Sequence, residues 1–114
     1  MTVTIWHNPH CSKSRQTLAL IEEKSITPTI RLYLEDAPSA DELREVLTML
    51  GLSPKELMRS GEDAFKAQNL SMVDDNEKLI AAMVATPKII ERPIVVAGNK
   101  ARVGRPPESV LEIF

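Results

Sequence analysis

The chain has 114 residues, of which 43% are hydrophobic and 26% are charged, and its formal net charge is −2. This composition is typical of a globular domain, and the charge argues against a nucleic-acid or acidic-membrane surface. The single cysteine excludes an internal disulfide, and no apolar run approaches the roughly 20 residues of a membrane-spanning helix. The N-terminus shows no secretion signal. We therefore expect one monomeric domain, residues 1–114, in the reducing cytoplasm.

The first third of the chain predicts a parallel β-α-β unit. Residues 3–7 are mostly β-branched or aromatic and end at the turn signal Asn8-Pro9. A helix is predicted over residues 12–24 and a second strand over residues 29–34. The crossover between two such strands should be right-handed.

The middle of the chain predicts a helical block. Ser39 and Glu42 have the spacing of a capping box, and Gly51 is placed to end the helix that follows. Three further short helices are predicted, beginning at Ser53 and covering residues 63–68 and 77–85.

The last part of the chain predicts two strands and a helix. Residues 94–97 are rich in β-branched types, Gly98-Asn99 is a tight-turn pair, and residues 101–103 return as a partner strand. The Arg-Pro-Pro-Glu run at residues 105–108 opens the last helix. The complete order indicates an α/β thioredoxin-like fold, a mixed four-stranded sheet with a helical insertion between strands 2 and 3.

Cys11 is the first candidate for a reactive side chain. It lies at the predicted strand-to-helix turn, where free backbone N–H groups and the helix dipole lower a thiol pKa. The polar neighbours on both sides, His10 and Ser12 among them, are poor core residues. The alternative is an inert, buried cysteine.

Three arginines stand beside structural boundaries. Arg59 ends a short helical segment, Arg92 precedes Pro93 and the third strand, and Arg105 precedes the last helix. In a thioredoxin-like fold, the residue before the third strand lies close to the start of the first helix. A guanidinium binds a tetrahedral oxyanion through two hydrogen bonds. Taken with Cys11, these arginines predict an anion site, although each alone would be an ordinary surface charge.

The motifs together resemble the glutathione- and glutaredoxin-dependent arsenate reductases, nearly from end to end. In chain order they are His7-Asn8-Pro9-x-Cys11-Ser-x-Ser14-Arg15, Tyr33-Leu34-Glu35, Leu57-Met58-Arg59, Glu91-Arg92-Pro93-Ile94-Val95-Val96 and Gly104-Arg105-Pro106-Pro107-Glu108. The implied site residues are the nucleophile Cys11, the oxyanion-binding Arg59, Arg92 and Arg105, and the supporting His7, Ser14, Arg15 and Pro93. The resemblance also implies that His7 lies near the cysteine and tunes it, and that the Arg92–Pro93 bond is cis.

The reaction implied by the resemblance is the reduction of arsenate to arsenite. One cysteine supplies only one of the two thiols that the reduction needs, so the second must come from outside. The resemblance implies that glutathione supplies it as co-substrate and that glutaredoxin then reduces the mixed disulfide. No bound cofactor and no metal are expected, because His7, His10 and Cys11 make a poor zinc site. Two alternatives stay open: a related oxidoreductase with another substrate, and a transcription regulator of this fold that binds RNA polymerase.

Overall fold

The computed structural model describes residues 2–114. The contacts divide the chain into two compact units, each described by itself: unit 1 contains residues up to Asp36 together with Arg92–Phe114, and unit 2 contains Ala37–Glu91. The expectation of a single domain stays a prediction. None of the helices in the described residues is long and apolar enough to cross a membrane.

Unit 1 is built on the sheet that the sequence predicts. Its strands are β1 (Val3–Trp6), β2 (Thr29–Arg31), β3 (Ile94–Ala97) and β4 (Lys100–Val103), in the order β2-β1-β3-β4. β1 is parallel to β2 and antiparallel to β3, and β3 is antiparallel to β4. The mixed thioredoxin-like sheet is therefore confirmed.

The predicted extent of the second strand is wrong. β2 ends at Arg31 and not at residue 34, because the carbonyl oxygen of Leu32 accepts hydrogen bonds from the N–H groups of Glu35 and Asp36, both at 2.9 Å. These bonds fold residues 32–36 into a turn. The carbonyl of Arg31 still accepts a hydrogen bond from the N–H of His7 at 2.8 Å, so the loop that follows β1 begins with a bond to β2.

Two helices cover one face of the sheet in unit 1. They are α1 (Ser12–Glu23) and a 3₁₀ helix (Pro107–Ile113) where the last helix is predicted. Alternation along β1 and β3 sends every second side chain toward these helices. The resulting core consists of Val3, Ile5, Ile21, Val95, Ala97, Val110 and Ile113.

Unit 2 is the helical insertion between β2 and β3. It contains α2 (Ala40–Leu50), α3 (Asp63–Ala67), α4 (Asn76–Ala85) and 3₁₀ helices at Lys55–Leu57, Leu70–Met72 and Pro87–Ile89. The capping box of α2 is confirmed, since Ser39 accepts from the N–H of Glu42 and the Glu42 carboxylate accepts from the N–H of Ser39. Gly51 ends that helix in the left-handed conformation, at a φ of 70°. The helix predicted at Ser53 is a short 3₁₀ turn.

Candidate active site

Cys11 is the residue immediately before the first turn of α1. It occupies the N-cap position with an extended backbone, φ −100° and ψ 122°, and its carbonyl accepts the hydrogen bond from the N–H of Arg15 at 3.0 Å. Its own N–H donates to the carbonyl of Asn8 at 3.0 Å, which closes the preceding loop. Cys11 is 9% exposed, so the thiol is nearly buried at the positive end of a helix.

The surroundings of Cys11 favour the thiolate. Burial acts against the charged form and raises the pKa. The backbone N–H groups of Ser14 and Lys13 and the Arg92 guanidinium act in the opposite direction and prevail, so the pKa of Cys11 lies below its ordinary value. Cys11 occupies the N-cap position, next to the N–H groups of the second and third helical residues, which a serine or aspartate cap would bind.

Two arginines from the other end of the chain meet the sulfur. Arg105 Nη2 lies 3.7 Å from Cys11 Sγ, and Arg105 Nε donates to the carbonyl of Arg92 at 2.8 Å. The Arg92 side chain forms a hydrogen bond with the thiol, and its positive charge lowers the pKa of Cys11. Unit 1 thus places a thiol, a helix N-terminus and two guanidinium groups together, as the sequence predicts for Cys11, Arg92 and Arg105.

The segments that carry these arginines are packed closely against α1. The Arg92–Pro93 bond is cis, as predicted, and the Arg105–Pro106 bond is cis as well, which the sequence analysis does not anticipate. The N–H of Gly104 donates to the carbonyl of Pro93 at 2.9 Å. A Cβ atom on Gly104 would lie 2.5 Å from Thr17 Oγ1 and 2.8 Å from Pro93 Cγ. Only glycine fits between α1 and Pro93 at this position.

His7 is held by Ser14 rather than by the cysteine. Its Nδ1 lies 2.7 Å from Ser14 Oγ, and the same oxygen accepts from the N–H of Asn8 at 3.0 Å. Burial, reinforced by the positive charge of Arg15, lowers the pKa of His7, so the ring is neutral at pH 7. The hydrogen bond between Nδ1 and Ser14 Oγ joins the ring to the first turn of α1. His7 and Ser14 together fix the loop that leads to Cys11.

Arg15 has a structural partner within the same loop. Its Nη1 donates to the carbonyl of Pro9 at 2.8 Å, and the side chain is exposed. This bond spans the turn before α1, and the supporting role that the resemblance implies for Arg15 stays a prediction. The backbone of Asn8 is held from the opposite side by Ser14.

Arg59 lies in unit 2 among acidic partners. Its Nη1 donates to Glu91 Oε1 at 2.9 Å, and its Nε lies 3.4 Å from Glu62 Oε1. The backbone is fixed as well, because the N–H of Arg59 donates to the carbonyl of Ile89 at 2.7 Å and an antiparallel bridge joins Met58 to Ile90. The assignment of Arg59 to the oxyanion stays a prediction.

The sequence analysis does not identify Gly104 and Thr17 as residues that shape the site. Thr17 is fully buried and its hydroxyl donates to the carbonyl of Lys13 at 2.8 Å. A Gly-Arg-Pro-Pro run beside a predicted helix start is the only available signal for Gly104, and nothing in the sequence marks Thr17. Among the described residues, no group of three or more His, Cys, Asp or Glu side chains could hold a metal ion.

Comparison with known proteins places the chain among a set of close relatives. Residues 6–113 match the ArsC family. An arsenate reductase of Haemophilus influenzae is 48% identical, and the match covers 100% of both chains. The uncharacterized protein YfgD of Escherichia coli is 55% identical over 97% of this chain and 95% of its own length. The solved structure of an arsenate reductase from Vibrio cholerae is similar with a TM-score of 0.97 at 50% identity, covering 100% of this chain and 98% of that one.

Proposed function

Because the chain belongs to the ArsC family, we propose that it is an arsenate reductase in which Cys11 is the nucleophile and external thiols supply the electrons. The observation that carries the proposal is the 3.7 Å approach of Arg105 Nη2 to Cys11 Sγ at the start of α1. A guanidinium there stabilises the thiolate before the reaction and can bind an arsenate oxygen when the thiolate attacks.

In the first step, the Cys11 thiolate attacks the arsenic of arsenate. A sulfur–arsenic bond forms, and one oxygen leaves as water after taking protons from solvent. The positive groups around the sulfur, Arg92 and Arg105, then face the oxyanion of the adduct and neutralise its charge. The near-burial of Cys11 strengthens these interactions, because less water screens them.

In the second step, a glutathione thiolate attacks Cys11 Sγ. A disulfide forms between the two sulfurs, and the sulfur–arsenic bond breaks with its electron pair left on arsenic. Arsenic(V) becomes arsenic(III) and departs as arsenite. Since the chain has a single cysteine, it cannot resolve the mixed disulfide itself, and glutaredoxin removes the glutathione by thiol–disulfide exchange.

The test is turnover coupled to NADPH oxidation through glutathione reductase, with glutathione and glutaredoxin present. Cys11→Ser should abolish arsenate-dependent turnover, because a serine hydroxyl is a far weaker nucleophile at neutral pH. Phosphate in place of arsenate serves as the matched control and should support none. Wild-type turnover by Cys11→Ser would contradict the proposal.

The arginines are tested in the same assay. Arg92→Ala and Arg105→Ala should each raise the KM for arsenate about tenfold or more, since a charge-assisted hydrogen bond contributes ~1.5–3 kcal/mol. Arg59→Ala tests the third predicted ligand, whose guanidinium is already held by Glu62 and Glu91. Unchanged kinetics in Arg92→Ala and Arg105→Ala would refute the anion site. An active-site thiol without arsenate turnover would instead favour another substrate, and capture of RNA polymerase would favour a regulator.

A further inference from the structure

An exposed apolar stripe runs along the edge of the sheet in unit 1. It consists of Ile30 in β2 and of Leu32 and Leu34 in the turn that follows, which are 48%, 39% and 43% exposed. They occupy every second position from 30 to 34, and Tyr33, between Leu32 and Leu34, is buried, so three apolar side chains of this short segment face solvent. β2 is also the outermost strand of the sheet beside β1.

The apolar stripe continues into a dimple beside the cysteine-bearing loop. The dimple has a volume of about 80 Å³, and its lining residues are His7, Asn8, Pro9, His10, Leu32, Leu34 and Glu35. This volume accepts one small side chain and is too small for a whole peptide. Leu32 and Leu34 thus line the same dimple as His10, the residue before Cys11.

The turn that carries the apolar stripe is well anchored. The carbonyl of Leu32 accepts two backbone hydrogen bonds, and Arg31 Nε donates to the carbonyl of Asp36 at 3.1 Å. The Arg31 guanidinium also lies over the Trp6 ring, 5.3 Å from its centre. A surface held in this way loses little conformational entropy when a partner binds.

We propose that the apolar stripe and the dimple form the docking surface for the redoxin that reduces the Cys11 mixed disulfide. This inference rests on the proposed function. The chain has one cysteine, so the resolving thiolate comes from another molecule, and a redoxin that supplies it must approach the loop containing Cys11. That thiolate forms a disulfide with the glutathione sulfur, the bond between glutathione and Cys11 breaks, and its electron pair leaves on Cys11 Sγ as the regenerated thiolate.

The size of the apolar stripe favours this occupant over a second copy of the chain. It consists of three side chains of residues that are each less than half exposed, which is far less apolar area than the roughly 800 Å² that a stable dimer buries on each partner. Transient redox encounters lie at the small end of protein interfaces. An enzyme that must release the redoxin after every turnover needs such a weak interface.

The experiment measures one exchange step without arsenate. The protein is converted to its Cys11–glutathione mixed disulfide with oxidised glutathione, and the second-order rate of its reduction is followed with a purified, reduced bacterial glutaredoxin and, separately, with dithiothreitol. The double variant Leu32→Ser, Leu34→Ser should lower the rate of reduction by glutaredoxin about tenfold, which is the effect typical of losing an interface hot spot. It should leave the rate of reduction by dithiothreitol within about twofold of wild type. Leu34→Ala gives a milder second variant, and Met72→Ser, at an 81% exposed residue of unit 2, is the matched control.

Each other outcome overturns the inference. Equal glutaredoxin rates in variant and wild type would show that the redoxin does not use the apolar stripe. A parallel fall in the dithiothreitol rate would show that the substitutions change the disulfide itself. A wild-type dimer that dissociates in the variant on sedimentation would assign the stripe to a second copy. If glutaredoxin fails to reduce even the wild-type mixed disulfide, the proposed reductant is wrong, which separates that failure from a failure of the docking surface alone.

Discussion

Substituting Gly104 by alanine should be among the most damaging single-methyl changes in unit 1. The added Cβ would lie 2.5 Å from Thr17 Oγ1, 2.8 Å from Pro93 Cγ and 3.1 Å from Thr17 Cγ2. All three distances are shorter than ordinary van der Waals contacts. Neither neighbour can easily move, since Thr17 is fully buried within α1 and Pro93 begins the segment leading into β3. The substitution therefore has to displace the backbone.

The expected cost follows from three contributions. Overpacking of a closed site costs about 1–3 kcal/mol. A Thr17 side chain that rotates away would lose its hydrogen bond to the carbonyl of Lys13, which adds about 1 kcal/mol. Alanine also lowers the conformational entropy of the unfolded chain, which stabilises the folded state by about 0.5–1 kcal/mol and offsets part of this cost. We expect Gly104→Ala to lower the free energy of unfolding by roughly 1–3.5 kcal/mol, which corresponds to roughly 4–15 °C in Tm.

Urea unfolding followed by circular dichroism measures this cost, and Gly61→Ala is the matched control. No atom lies within 4 Å of a Cβ built on Gly61, so that variant should equal wild type or be slightly more stable. Thr17→Ala removes two of the three close atoms, so the double variant should lose less stability than the two single variants added together. Equal stability of Gly104→Ala and Gly61→Ala would refute the steric argument.

Two predictions concern the protonation of the site. The rate of Cys11 alkylation should titrate with a midpoint below the ordinary thiol pKa of about 8.5, because the N–H groups of α1 and the Arg92 guanidinium outweigh burial. Arg92→Met should raise this midpoint. Arg102→Met is the control and should leave the midpoint unchanged, because Arg102 pairs with Glu112. A wild-type midpoint at or above the ordinary value would contradict the stabilised thiolate. His7 should titrate in NMR below its ordinary pKa of about 6.5. The unfolded chain then binds the proton more tightly than the folded protein does. The free energy of unfolding should therefore be unaffected by His7 above about pH 6.5 and should decrease as the pH falls below that value. An imidazole that titrates at or above the ordinary value would show that burial does not control it.

The reactive centre was accessible to prediction because its signals are local. A lone cysteine between a strand pattern and a helix pattern places the thiol at a helix N-terminus, and the structure puts Cys11 at the N-cap of α1. The resemblance predicts the cis bond before Pro93, and the structure confirms it. The capping box of Ser39 and Glu42 is similarly local, since both hydrogen bonds lie within four consecutive residues.

The remaining features depend on contacts between distant parts of the chain. The strand pattern at residues 29–34 is apolar enough to extend, but β1 offers pairing partners only for Thr29–Arg31, and the turn at Leu32 takes over from there. The role of Gly104 requires knowing which atoms of Thr17 and Pro93 lie opposite it. Likewise, nothing in the sequence shows that His7 Nδ1 contacts Ser14 rather than the thiol.

The balance of forces on Cys11 argues that the site is built for negative charge rather than for exposure of a thiol. At 9% exposure, burial alone would raise the thiol pKa and make the residue inert, yet the net effect of the surroundings lowers it. The backbone N–H groups of Ser14 and Lys13 and the Arg92 guanidinium must therefore outweigh the desolvation cost. Under the proposed mechanism, attack transfers the thiolate charge into a sulfur–arsenic bond, and the same positive groups become available to the arsenate oxygens. Groups that first hold the nucleophile then stabilise the product of its attack, so the charge is neutralised at both stages without a rearrangement of the loop that carries Cys11.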